Sequence, residues 1–303
     1  IRRQRQMCIR DRDVWEQVDV PHTWNAKDGT SPDYYRGDGT YRYTLSVSPA
    51  MMKKRIFLRF EAASQKAEVK LNGQEVGEHV GGFNAFCFEI TPYVHSGENL
   101  LEVIVSNRKE LNIAPLEGDF TVFGGIYRPV SLLLLPKACI TPLDYASSGV
   151  YVSQQVGERR ADLSVVTKVD NGLKRVKELS VKTDVFDAAG KLVATAMTFQ
   201  ATEGQARLDF TNRLTVDNPM LWDGRKSPYL YRVFVELKRG KEVLDTLSQY
   251  VGLRSFRVDA EKGFILNGKP YKIKGVNRHQ DRPDKGWACL LYTSPSPRDG
   301  LLS

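Results

Sequence analysis

The chain has 303 residues and a formal charge of +8, but half of that charge sits in the first twelve residues, where five arginines face Asp11 alone. The rest carries a mild excess that makes no case for nucleic-acid binding. No apolar run approaches the roughly 20 residues of a membrane-spanning helix, and Cys87 and Cys139, each in an apolar setting, read as buried free thiols rather than a disulfide.

The two ends stand apart. Arg2 to Asp11 and Cys289 to Asp299 show neither a helix nor a strand period. Met7 to Asp11 can be encoded by ATG TGT ATA AGA GAC, and the reverse complement with flanking bases encodes Cys289 to Ser294. One DNA element in opposite orientations thus accounts for both ends, and it resembles a transposase-type sequencing adapter. Residues 1–12 and 289–303 are expected to be adapter-like tails outside the fold. The alternative is a natural basic N-terminal arm that binds nucleic acid.

Between the tails the chain reads as short strands separated by turns. Ile56, Leu58 and Phe60 alternate with Arg55 and Arg59, and Ala67, Val69 and Leu71 alternate with Glu68 and Lys70 before the Asn72-Gly73 turn. Lys53, Lys54 and Arg55 read as a solvated turn. Leu101, Val103 and Val105 form a further strand, and Tyr127 to Leu135 closes a first domain. After Pro136 the pattern restarts with Leu163, Val165, Thr167 and Val169, then Val181, Thr183 and Val185, a turn at Asp187 to Gly190, and Tyr231, Val233, Val235 and Leu237. Many short strands at regular spacing predict sandwiches, and the second set fits an immunoglobulin-like one held by packing alone.

Phe264 to Leu266 lead into Asn267-Gly268, a two-residue hairpin signal, with Tyr271 and Ile273 alternating with Lys272 and Lys274 on the return strand. Then come Gly275-Val276-Asn277-Arg278-His279-Gln280-Asp281, hydrogen-bonding side chains directly after a strand. His22 and Trp24 in a Pro-led turn, and Trp222, read as packing residues. His79 and His95 have no second ligand at metal spacing.

Several of these stretches resemble glycoside hydrolase family 2, the β-galactosidase and β-glucuronidase family. They are Val20-Pro21-His22-Thr23-Trp24-Asn25, Tyr34-Tyr35-Arg36-Gly37, Gly81-Gly82-Phe83, Gly124-Gly125-Ile126-Tyr127-Arg128-Pro129-Val130, Asn218-Pro219, Leu221-Trp222, and Asn267-Gly268-Lys269-Pro270 followed by Gly275-Val276-Asn277-Arg278-His279. The resemblance covers Asp13 to Ala288. It implies an all-β chain: a jelly-roll sugar-binding-type sandwich at 13–138, an immunoglobulin-like β-sandwich at 139–257, and the opening hairpin of a truncated (β/α)8 barrel at 258–288.

The resemblance also implies a function. The parent is expected to be a retaining β-glycosidase, first a β-galactosidase, then a β-glucuronidase or β-mannosidase, and this chain its non-catalytic N-terminal part. A carbohydrate-binding or assembly module without chemistry is the other reading. His279 is the implied sugar contact. Asn277 and Arg278 either join it or brace the barrel mouth. Asp119, six positions before Gly125, either reaches the sugar or a bound sodium ion or is an exposed loop carboxylate. The Gln280-Asp281 pair replaces a Glu-containing pair of many relatives, so no metal role is carried over there, and sodium or magnesium is implied only for the full-length parent. The two carboxylates that retaining hydrolysis needs, about 5 Å apart, are implied to lie beyond Ala288, so no catalytic residue is assigned. The expected partner is a β-galactoside-type glycan, with no nucleic acid or membrane. Compartment stays open, as does a homo-oligomeric parent.

Overall fold

The computed structural model describes the backbone of residues 5–9 and residues 15–28, 31, 33–116, 118, 120–174, 178–202, 204, 206–276, 281–282 and 284–288. Among the described residues there is no α-helix. The chain divides into two compact units, Ile1–Leu134 with Arg278–Ser303, and Leu135–Asn277.

The first unit contains β1 (Arg5–Ile9), β2 (Glu16–Gln17), β3 (Asp38–Val47), β4 (Arg55–Phe60), β5 (Lys66–Leu71), β6 (Gln74–Val80), β7 (Phe86–Glu89), β8 (Gly97–Ser106) and β9 (Val130–Leu135). One sheet runs β2-β1-β3-β8-β5-β6 and the other β7-β4-β9. Period-2 alternation sends Ile56, Leu58 and Phe60 of β4, Ala67, Val69 and Leu71 of β5, and Leu101, Val103 and Val105 of β8 into one buried cluster. Each large apolar side chain so buried contributes about 1.5–3 kcal/mol. Asn72 and Gly73, at φ 52° and 77°, supply the two left-handed residues that a tight β5–β6 connection demands. The Asn72 Nδ2 donates to Tyr93 O and Asn99 Oδ1, both at 2.9 Å, and its Oδ1 accepts Leu100 N–H at 2.9 Å.

Two local expectations are corrected here. The segment Arg5–Ile9 is a strand, in register with β3 from Arg5 opposite Tyr43 to Ile9 opposite Gly39. A sheet edge offers unpaired N–H and C=O groups, and backbone pairing to them requires no side-chain period. Arg55 starts β4, as the alternation from Arg55 to Phe60 implied, but it is not the solvated turn residue it was also read as: it holds Glu89 through Nε and Nη2 at 2.9 and 2.6 Å, with only 15% of its side chain exposed.

The second unit contains β10 (Ala138–Ile140), β11 (Val150–Val156), β12 (Arg160–Asn171), β13 (Glu178–Phe186), β14 (Leu192–Ala201), β15 (Ala206–Asp217), β16 (Tyr231–Arg239), β17 (Glu242–Val251), β18 (Phe256–Asp259), β19 (Gly263–Leu266) and β20 (Lys269–Pro270). Strand β12 pairs along its whole length with β15, while β10 and β11 share its other edge. The second sheet runs β14-β13-β16-β17. Leu163, Val165 and Val169 of β12 meet Val181 and Val185 of β13 and Val233, Val235 and Leu237 of β16 in the core. Neither the buried Cys139 nor the half-buried Cys87 of the first unit forms a disulfide among the described residues.

Strands β18, β19 and β20 form a small separate sheet. Asn267 and Gly268, at φ 48° and 78°, make its tight turn as expected. Asn267 Nδ2 donates to Trp222 O and its Oδ1 accepts Ser255 N–H, both at 3.0 Å. The return strand is shorter than its alternation suggested. Pro270 has no N–H to give the ladder, one further bond joins Tyr271 N–H to Phe264 O at 2.9 Å, and Ile273 is 66% exposed.

Candidate functional site

Asn277, Arg278, His279 and Asp119 lie outside the described residues, as does Gln280. What the structure describes, within the first unit, is how the chain on either side of residue 119 is held and how the chain after residue 280 folds.

Both flanks of residue 119 are fixed by side chains from distant turns. On the N-terminal side, Gln65 Nε2 donates to Pro115 O at 2.9 Å, and Arg36 Nη1 donates to Leu116 O at 2.9 Å. The same guanidinium reaches Asn107 O at 2.8 Å and Gln65 Oε1 at 3.4 Å, which orients the two supports against each other. On the C-terminal side, Val122 O accepts from Asn107 Nδ2 at 2.9 Å and Asn25 Nδ2 at 3.3 Å, and Val122 N–H donates to the Tyr34 hydroxyl at 3.0 Å. Asn25 Oδ1 accepts Gly124 N–H at 2.9 Å, and Asn107 Oδ1 accepts Gly37 N–H at 2.8 Å. Asn25 and Asn107 are fully buried. Buried backbone groups need partners, and here two carboxamides provide them where no ladder does.

The Pro-led turn packs below this loop. His22 N–H donates to Ile126 O at 2.8 Å, and Trp24 N–H to Gly124 O at 3.2 Å. A Cβ on Gly124 would stand 2.1 Å from Trp24 Cζ2, so only glycine allows the indole to approach the backbone this closely. Trp24 and His22 therefore pack as expected. His22 Nδ1 lies 3.0 Å from the Tyr41 hydroxyl. Burial, aided by the positive charge of Lys285, lowers the His22 pKa to about 4, and burial raises that of Tyr41. At neutral pH this pair is uncharged.

The stretch beyond residues 277–280 turns back on itself. Gly286 N–H donates to Arg282 O at 2.8 Å and Ala288 N–H to Lys285 O at 2.9 Å. Trp287 then lies against Phe83, Phe123 and Tyr127, at ring-centroid separations of 5.4, 5.5 and 5.3 Å. Tyr127 is oriented by its hydroxyl, which donates to Gly82 O at 2.5 Å.

Among the described residues no three of His, Cys, Asp and Glu gather as a cation site would require. His79 stacks on Phe86 at 4.3 Å, and the exposed His95 bonds Ser96 O and Asn99 rather than another acceptor cluster. The arrangement offers positioning and hydrogen bonding.

The sequence reading named the motif residues but not most of their supports. Asn25, Tyr34 and Arg36 stood inside quoted motifs without a role. Gln65 and Asn107 carried no signal beyond being polar residues at strand ends.

The model of glycosyl hydrolases family 2, sugar binding domain, matches residues 4–136, and that of glycosyl hydrolases family 2 matches residues 148–254. The chain is 40% identical over 274 residues to a β-glucuronidase of Bacteroides fragilis, covering 89% of this chain and 39% of that protein. It is 33% identical over 278 residues to the β-galactosidase BoGH2A of Bacteroides ovatus, covering 88% of this chain and 31% of the relative. The crystal structure of the Bacteroides uniformis β-glucuronidase superposes with a TM-score of 0.87 at 36% identity, over 95% of this chain and 37% of that one. The chain therefore spans about a third to two fifths of the length of these relatives. With an N-terminal sugar-binding sandwich and a following immunoglobulin-like sandwich, both matched to one family, the chain belongs to glycoside hydrolase family 2.

Proposed function

We propose that this chain is the non-catalytic N-terminal part of a retaining β-glycosidase that removes terminal β-linked sugars. The observation that carries the reading is the match of both sandwiches to one glycosidase family in unbroken order along the chain. β-Glucuronides rank first as substrate, ahead of the β-galactosides expected from sequence, because the 40% identity to a β-glucuronidase exceeds the 33% to a β-galactosidase. β-Galactoside remains the second reading on that same 33% relative.

In this reading β18–β20 open a catalytic barrel, and the two glutamates of retaining hydrolysis, about 5 Å apart, come from later strands. His279 contacts the sugar, with Asn277 and Arg278 beside it and Asp119 reaching in from the first sandwich. Such side chains combine donors and acceptors at fixed angles, as sugar hydroxyls require.

Two assays test the reading. The purified chain should turn over neither nitrophenyl-β-glucuronide nor nitrophenyl-β-galactoside, because a barrel closes only with its full set of strands. A reading frame continued past Ala288 should hydrolyse the glucuronide faster. Turnover by the 303-residue chain would sink the non-catalytic assignment, and a continued frame lacking barrel strands would favour a sugar-binding module instead.

A further inference from the structure

In the second unit, the sheet β14-β13-β16-β17 sends one face into the core and leaves the other outside it. One cross-strand row of the outer face differs from its neighbours. Register sets Leu192, Phe186, Arg232 and Tyr250 side by side, one from each strand. With strands about 4.8 Å apart, the row spans about 14 Å. Tyr250 is 70% exposed and Leu192 is exposed at the other end, while Phe186 and Arg232 between them are half-buried. The Arg232 guanidinium carbon lies 4.5 Å from the centroid of the Phe186 ring and 5.9 Å from that of Phe234, which stands in the next row.

The charge in this row is uncompensated. Elsewhere on the face, Lys182 closes on Asp184 at 2.6 Å, and the Thr195 hydroxyl donates to the same carboxylate at 2.6 Å. Lys238 and Glu236, on β16, cancel formally. The Arg232 guanidinium makes neither a hydrogen bond nor an ion pair among the described residues, and the hydroxyls of Tyr250 and of Ser248, one row along, are also without a partner there. Stacking on a ring fixes the guanidinium while leaving its donor edge open. A planar fork so held is set for two parallel bonds to a carboxylate. The exposed phenol ring beside it offers an apolar face of the kind that the C–H face of a pyranose covers.

We propose that this row is a binding surface for the hexuronate residues of an acidic glycan. Arg232 pairs with the sugar carboxylate, the Tyr250 ring takes the C–H face of an adjoining pyranose, and the Ser248 hydroxyl bonds its hydroxyls. The choice of a sugar acid over another flat anion rests on the glycosidase reading of the chain. A stable protein interface buries about 1,200 Å² or more, which one row of four side chains does not offer.

Calorimetric titration of the 303-residue chain with trigalacturonate at low salt tests the surface. This probe is an α-linked hexuronate chain, so a site for hydrolysing β-glycosides does not supply the signal. Trigalacturonate should bind and weaken as salt is added, and the neutral maltotriose should give no heat. Arg232→Gln should weaken binding at least about tenfold, as expected for losing a bond to a charged group. Tyr250→Ala should weaken it about threefold. Phe199→Ala, on the same face three rows away, should leave it unchanged. Absence of binding, undiminished binding in Arg232→Gln, or an equal loss in Phe199→Ala would overturn the proposal. Binding of benzoate with the same dependence on Arg232, while trigalacturonate stays silent, would overturn the sugar assignment and leave a contact for flat anions. A dimer in sedimentation that Tyr250→Ala abolishes would give the row to a second copy instead. If Arg232→Gln does not fold, Tyr250→Ala decides, since that side chain is mostly outside the packing, and unchanged affinity there would overturn the surface. Failure of the glycosidase reading has a different signature: a frame continued past Ala288 would hydrolyse neither nitrophenyl glycoside while trigalacturonate still bound.

Discussion

His22 Nδ1 stands 3.0 Å from the hydroxyl of Tyr41, and that hydroxyl also accepts the Ile126 N–H at 3.4 Å, so the tyrosine proton is free to point at the imidazole. A neutral histidine accepts it; an imidazolium does not.

A pH dependence follows. The folded His22 pKa is about 4 against 6.5 in the unfolded chain, owing first to burial and second to Lys285. Between those values the unfolded state binds more protons than the folded one, so stability falls as pH drops from 6.5 towards 4 and is independent of this group above about 7. The full effect is at most about 3.4 kcal/mol. Carboxylates titrate in the same window, so the measurement is a difference: urea midpoints at pH 7 and pH 4.5 for the native chain and for His22→Leu. The variant should lose less stability on acidification. Equal losses in the two proteins would remove His22 from the account.

Two glycines separate crowding from backbone conformation. A methyl at Gly124 would meet the half-buried Trp24 at 2.1 Å and the fully buried Asn107 Cγ at 2.8 Å, in a loop fastened by hydrogen bonds. Gly124→Ala should therefore cost about 3 kcal/mol, the upper range for forcing volume into a packed core. Gly73 has φ 77° with nothing within 4 Å of its missing Cβ. Gly73→Ala should cost only about 1 kcal/mol, for the left-handed backbone. Chemical denaturation of the two variants should order them this way, and the reverse order would contradict the close approach at Gly124.

The loop supports should fail individually. Asn107→Ala leaves the Gly37 N–H without its 2.8 Å partner and removes the shorter of two donors to Val122 O. The cost should be about 2–3 kcal/mol, the desolvation penalty of buried groups left unpaired. Amide exchange at Gly37 and through residues 120–124 should accelerate well before global unfolding. Loss of stability without that local acceleration would mean that the side chain fills space rather than holding the loop.

Cys87 should be a slow thiol. Burial pushes its pKa from 9.0 to about 11, against a smaller opposing pull from Arg59. At pH 8 its thiolate fraction falls about a hundredfold, and alkylation slows in proportion. Site-resolved iodoacetamide labelling of the native chain measures this, and labelling at the rate of a free cysteine peptide would contradict the burial.

How much of this was legible in the sequence depended on how local each signal is. β4, β12 and β16 announced themselves through alternation because one face of each meets a core, and the Asn-Gly pairs announced both tight turns. Arg5–Ile9 did not, because pairing at a sheet edge is a backbone affair that leaves no side-chain period. The return strand after Gly268 was overread because Tyr271 and Ile273 alternate with lysines as a half-buried strand would, yet Ile273 stays 66% exposed. The site split the same way. Asn277, Arg278 and His279 form a contiguous motif and were singled out at once. Asn25 holds Val122 across 97 positions of sequence, a separation at which no local pattern can report the pairing.

The two tight turns carry a consequence for the chemical ageing of the protein. Asn-Gly is the dipeptide in which the next backbone nitrogen most readily attacks the side-chain carbonyl carbon, expelling ammonia to form a succinimide that water then opens to aspartate or isoaspartate. That closure requires the carboxamide to swing freely. In Asn72 both ends of the amide are engaged, by Tyr93, Asn99 and Leu100, and in Asn267 by Trp222 and Ser255. The bonds that shape each turn also immobilise the reacting carbon, so the folded chain resists deamidation at the two sites where its unfolded form would be most vulnerable.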